Sequence, residues 1–133
     1  YIINNINTLV KSILEVDIRN RYRIRYGSVL SKLANHVMNI APSILNYNEL
    51  QDLLLLKSVH TAENYVEYCK CAYLFLGLQK YSAKSKIRMT KEKLYCVDIA
   101  LMNNRENSFA GENLGWRLET LVFIELLRLY HPK

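Results

Sequence analysis

The sequence predicts a mainly helical α+β fold, on three observations. Glycine (4) and proline (2) are scarce among 133 residues, which disfavours a turn-rich β architecture. Apolar residues recur at helical spacing over most of the chain, in stripes interrupted near Gly27, Pro42 and Asn46. The period then changes: Tyr73 to Tyr81 and Lys86 to Val97 are rich in β formers and flank the polar Ser82-Ala83-Lys84-Ser85, the pattern of a hairpin. A short and a longer helix joined by a tight turn, then closed by such a hairpin, make a winged helix-turn-helix.

Each element has its own warrant. Ile2, Ile6, Leu9, Ile13 and Val16, widened by Ile3, Val10 and Leu14, predict an amphipathic helix over residues 2 to about 18. The run RNRYRIRY follows, from Arg19 to Tyr26. If extended, it would set Arg19, Arg21, Arg23 and Arg25 on one face, whereas a helix would scatter them. Leu30, Leu33, Ala34, Val37, Met38 and Ala41 mark a second helix, capped by Ser28 and stopped by Pro42. Asn46 to Glu49 has the form of a capping box for a short third helix with Leu50, Leu53 and Leu54 on its buried side. After the Lys57-Ser58 turn, Val59, Ala62, Val66, Cys69 and Tyr73 predict the inward face of a fourth helix. Asn103 to Gly111 reads as a polar loop, and residues 112 to 130 as a last helix with Leu114, Leu118, Leu121, Val122, Ile124 and Leu126 among its apolar positions.

Half of the residues are hydrophobic and 23% are charged, the balance of a globular chain. No uncharged stretch approaches the length of a membrane span, so no membrane partner is expected. The start at Tyr1, with no signal pattern after it, reads as an excised part of a longer intracellular, cytoplasmic protein. Cys69, Cys71 and Cys96 lack the paired spacing of a zinc site and are expected to be buried free thiols. The net charge of +6 is uneven: residues 1 to 26 carry +3 and residues 57 to 93 carry +5. Two basic regions permit a nucleic-acid footprint.

Chemistry-bearing patterns are few. The four glycines do not form a phosphate-cradling loop, so this segment is not expected to hydrolyse nucleotide. His36, His60 and His131 are too far apart for a helical metal pair, and no nucleophile has a local base, so no metal or catalytic residue is assigned. The fourth helix would expose His60, Thr61 and Asn64 to a nucleic acid, but also Glu63 and Glu67, which repel phosphates. The hairpin is the more electropositive candidate, through Lys80, Lys84, Lys86, Arg88, Lys91 and Lys93, with a solubilising, edge-protecting lysine cluster as the plainer alternative. In the last helix Glu119 stands among apolar neighbours, but a nuclease metal site needs further converging oxygen ligands.

The segments KLYCVDIALMN (Lys93 to Asn103) and ENLGWRLETLVFIELLRL (Glu112 to Leu129) resemble the C-terminal region of prokaryotic AAA-type P-loop ATPases, which is similar to restriction-endonuclease-like PD-(D/E)XK folds. Lys93, Tyr95, Asp98 and Leu101 match that family's strand, with Ala100 in place of a glycine. Leu118, Glu119, Val122, Glu125 and Leu126 match its helix, with Thr120 in place of an asparagine. VDIRNRYRIR resembles the segment with which these proteins leave the ATPase module.

The resemblance implies a helix and linker leaving that module over residues 1–26, a winged helix over 27–92, and the first strand and helix of a truncated nuclease-like domain over 93–133. Asp17, Arg19, Arg21, Arg23 and Arg25 would contact the preceding ATPase module. ATP and Mg would bind in the parent protein, and a divalent metal in the complete nuclease-like domain, with no cofactor in this fragment. The expected function is non-catalytic: a nucleic-acid-binding or regulatory module with DNA as partner, or alternatively a protein interaction module. A further alternative is part of a metal-dependent nuclease in which Glu119 is a ligand.

Overall fold

The computed structural model describes residues 2–25, 27–79, 92–104 and 114–130. Helix α1 (Ile2–Ser12) runs through a π-helical stretch, Ile13–Ile18, into one further turn, α2 (Arg19–Tyr22). Val10, Leu14 and Ile18 are its buried line, while Leu9 and Val16 face outward. The predicted stripe is therefore displaced by about one position. Apolar residues on both sides satisfy helical spacing, and contact with the next helix selects one of them.

The arginine run is not a strand. Arg19–Tyr22 is helical, and Arg23 then takes a left-handed conformation (φ 51°, ψ 47°) that ends the helix and turns Ile24 into the core. Tyr22 is also held inward, its ring stacked on Tyr68 at 3.9 Å and 9°. The described aromatic and aliphatic members of the run thus anchor the turn, leaving Arg19, Arg21, Arg23 and Arg25 outside.

Helix α3 (Gly27–Ile40) buries Leu30, Leu33, Ala34, Val37 and Met38. After Pro42 a two-residue strand, β1 (Ser43–Ile44), precedes α4 (Tyr47–Leu54). Sequence periodicity does not reveal so short a strand. Asn46 caps α4 by accepting from the backbone N–H of Asn48 and Glu49 at 3.1 and 3.4 Å. Of the predicted buried leucines, Leu50 and Leu54 turn inward and Leu53 faces solvent. Ser58 caps α5 (Val59–Cys71), its hydroxyl accepting from the Thr61 N–H at 3.3 Å. Tyr73, expected inward, lies beyond the helix end at φ 60° with its ring exposed, because the chain reverses there into the sheet.

Strands β2 (Phe75–Gln79) and β3 (Glu92–Cys96) pair antiparallel, Phe75 opposite Cys96 and Gln79 opposite Glu92. Strand β1 pairs on the other side of β3, giving the order β1-β3-β2. The period of two sends Leu94 and Cys96 toward the helical core and Lys93 and Tyr95 to the opposite face. A 3₁₀ segment, Ile99–Asn104, leads toward α6 (Leu114–Tyr130). Phe123 of α6 stacks on Tyr95 at 4.0 Å, so this helix lies on the far face of β3. The result is a mainly helical α+β molecule with a small antiparallel sheet, as its sequence predicts. No described helix is long and apolar enough to cross a membrane.

Cys69 and Cys96 are buried free thiols, and burial pushes the Cys69 thiol up to about 12. Cys71 departs from expectation. Two residues from Cys69 on the same helix, it points to solvent.

Candidate functional site

Helix α5 occupies the centre of the described candidate residues, and its flanks differ in charge. Its outward line carries His60, Glu63, Asn64 and Glu67, all exposed. His60, 90% exposed, holds Nδ1 3.4 Å from the Glu63 carboxylate. Thr61 is less available than predicted, because its hydroxyl lies 3.1 Å from that of Ser58 in the helix cap. Asn64 remains on the open face.

On one flank, Lys70 donates to Glu92 of β3 at 2.6 Å and lies 3.4 Å from Glu67. Burial pulls the Lys70 ammonium down, but the bond to Glu92 prevails and holds its pKa above the ordinary lysine value. Nearby Tyr47 is shifted upward by burial and then by the Glu92 charge. Gly77 makes room for this clasp: a Cβ there would lie 1.6 Å from Glu92 Oε1. A glycine inside a strand is a sign of close approach, although the sequence does not say of what.

The opposite flank is basic and aromatic. Tyr68, stacked on Tyr22, also meets Tyr65 in a tilted contact, with 6.1 Å between ring centroids and 35° between the planes. Arg25 and Lys57 border a cleft of about 520 Å³ whose walls also include Tyr65 and the leucines of the α4–α5 turn. Among the described residues, none of Arg19, Arg21, Arg23, Arg25 and Lys57 makes an ion pair. Asp17 is exposed on the π-helical stretch. The predicted hairpin cations Lys80, Lys84, Lys86, Arg88 and Lys91 lie outside the described residues.

A third cluster joins β3 to α6. Glu119 accepts from the Lys93 ammonium at 2.5 Å and from the Tyr95 hydroxyl at 2.9 Å, so the motif residues Lys93, Tyr95 and Glu119 meet in space. Lys93, with help from Tyr95, holds the Glu119 carboxyl below its usual range. Burial, and then the bond to Glu119, pushes the Tyr95 phenol up to about 12. Asp98 is turned to its own backbone, accepting from the Ala100 N–H at 2.8 Å. Glu119 is thus one carboxylate already bound by a cation. Among the described residues no group of three or more His, Cys, Asp or Glu side chains could hold a metal ion.

Residues 3–111 match the family model described as Domain of unknown function (DUF8612). An uncharacterized protein of Methanocaldococcus jannaschii is 34% identical over 118 residues, covering 84% of this chain and 25% of that protein. An uncharacterized protein of Haemophilus influenzae is 28% identical over 122 residues, covering 88% of this chain and 30% of that protein. The chain therefore spans less than a third of the length of these relatives. No solved structure matches.

Proposed function

For this chain, which belongs to the DUF8612 family, we propose a non-catalytic role as a winged-helix regulatory module within a longer AAA-type ATP-binding protein. One observation carries the reading. The order α3, β1, α4, α5, β2, β3 around a sheet of order β1-β3-β2 is what supports it, since a winged helix likewise closes its helices with an antiparallel strand pair. The greater length of the relatives agrees with a module inside a larger protein, and the resemblance of the segments VDIRNRYRIR and KLYCVDIALMN to AAA-type ATPases is the ground for taking that protein as an ATPase. In this reading ATP and Mg bind outside the segment.

Nucleic acid would be held by the hairpin. Replacing Lys84, Lys86 and Arg88 together by alanine should weaken duplex DNA binding and flatten its salt dependence, by a slope of roughly 2 to 3 for three lost phosphate contacts. Affinity and slope equal to the parent's would remove the DNA contact from the proposal.

A protein-docking role is the second reading, and the outward line of α5 favours it. Glu63 and Glu67 would meet phosphates there with like charge, whereas a protein surface can meet them with cations. The nuclease reading has weaker support. Lys93, Tyr95 and Glu119 come together, but an ammonium bound to the only carboxylate of the cluster does not make a cation site. It predicts divalent-metal-dependent DNA cleavage by the parent protein that Glu119→Gln abolishes, and absence of cleavage dismisses it.

A further inference from the structure

The turn between α4 and α5 contains an unusual residue. Leu55 is the C-cap of α4 in a left-handed conformation (φ 53°, ψ 42°), a place that favours glycine or asparagine. Its side chain is 90% exposed. A large aliphatic group held in water, at a position whose backbone would be relaxed by glycine, contributes nothing to the fold that a smaller residue would not. Beside it lies the cleft of about 520 Å³, with Val29, Leu54 and Tyr65 on its walls and Arg25 and Lys57 at its edge. Neither cation has an acidic partner among the described residues.

From this juxtaposition we infer that the α4–α5 turn is a docking site for a protein segment that presents a leucine-sized apolar side chain between carboxylates. The apolar walls and Leu55 take the side chain, and Arg25 and Lys57 take the charges. Charge complementarity sets the sign of the partner. The apolar lining argues against nucleic acid, because a phosphate backbone gains from the two cations but nothing from covering leucines, whereas an amphipathic acidic segment gains from both. The site lies on the flank of α5 opposite the Lys70–Glu92 clasp, and it involves none of the hairpin cations. It goes beyond the winged-helix reading and does not require DNA binding.

The test uses three fluorescently labelled probes: a synthetic amphipathic peptide with leucines on one face and glutamates on the other, its twin with lysine for glutamate, and a duplex DNA. Anisotropy titrations of the whole chain should give saturable binding of the acidic peptide, at least about tenfold tighter than the lysine twin. Leu55→Gly should weaken that binding by about tenfold or more without lowering Tm, since glycine suits the backbone better. Arg25→Glu with Lys57→Glu should reverse the preference between the two peptides. Absence of saturable peptide binding overturns the inference. So does peptide binding indifferent to Leu55→Gly, and so does DNA binding that exceeds peptide binding and disappears in the Arg25→Glu, Lys57→Glu chain. Loss of DNA binding in the Lys84, Lys86 and Arg88 triple variant, with peptide binding intact, leaves the turn site standing as a separate surface.

Discussion

A methyl group on Gly77 would fall 1.6 Å from Glu92 Oε1 and 2.5 Å from its Cδ, so Gly77→Ala must expel that carboxylate. The Lys70–Glu92 clasp at 2.6 Å would break, although the backbone need not move, because the atoms in the way belong to a flexible side chain. A part-exposed ion pair sets the scale, and chemical denaturation should register a loss of about 1 kcal/mol. In an Glu92→Ala background the same substitution should stabilise by about 0.5–1 kcal/mol, since alanine is the better strand residue. A loss of equal size in both backgrounds would show that Gly77 is needed for some other reason. The cap Asn46 was legible in the sequence because a cap is a relation among neighbours, whereas Ser58 was read only as a turn residue and Ser28, the cap expected for α3, lies inside that helix, which begins at Gly27. The clasp was not legible, because Lys70 and Glu92 stand 22 residues apart and only the fold brings them together. At Glu119 the sign of the pKa shift gives a second residue-scale prediction. Its folded value lies below the ordinary 4.5, so its contribution to holding α6 is complete above that value and is lost as pH falls through the lowered one. Emission from Trp116, the chain's single tryptophan, should therefore change in acid below the normal carboxylate range. Glu119→Gln should remove that transition, and persistence of the transition at the same pH would assign it to another group.

Helix α6 is attached to β3 through Phe123 on Tyr95, by the Glu119 bonds to Lys93 and Tyr95, and by contact with the 3₁₀ segment. Thr120 is fully buried, its hydroxyl satisfied by the Trp116 carbonyl at 2.9 Å. Phe123→Ala removes the largest apolar contact of the helix, a change that typically costs about 3–5 kcal/mol in a packed core. The core beneath the sheet, with Leu30, Leu33, Val37 and Phe75, does not include Phe123. Hydrogen exchange should therefore accelerate throughout α6 while α3 and β2 retain their protection. Uniform loss of protection would make α6 part of the same cooperative unit. Elements whose apolar residues lie on one side were readable: α3 buries the positions its spacing names. In α1 and α6 apolar residues occupy more than one side, and the sequence could not say which side meets the core. The antiparallel pair β2–β3 was legible from the change of period, while the predicted turn Ser82 to Ser85 lies outside the described residues; β1 was not legible, since two residues have no period to read.

Across the whole molecule, burial is unevenly finished. Below the sheet the helices close over a continuous core, whereas the outer side of α6 leaves Leu114, Leu118, Leu121, Val122 and Leu129 between 44% and 69% exposed. Apolar side chains thus line the outer side of α6 as well as the side that meets β3, alongside the charged Arg117, Glu119, Glu125 and Arg128. The family model ends at residue 111, before this helix begins, and the relatives are several times longer than the matched segment. The outer face of α6 belongs to the exposed surface of the described residues and not to their core. Because Leu118 and Leu121 take no part in the described core, replacing both with lysine should change the Tm of this chain little, equivalent to about 0.5 kcal/mol or less per site. The same pair should lower binding of a hydrophobic dye and suppress concentration-dependent association, both of which depend on a continuous apolar patch. Thermal melts and sedimentation of the parent and the double variant at matched concentrations make the comparison. A large fall in Tm would place these leucines in the core after all. An unchanged Tm with unchanged association would shift the sticky surface to another exposed apolar group among the described residues, such as Leu9 and Val16 on the outer side of the first helix or Leu53 and Leu55 at the end of α4.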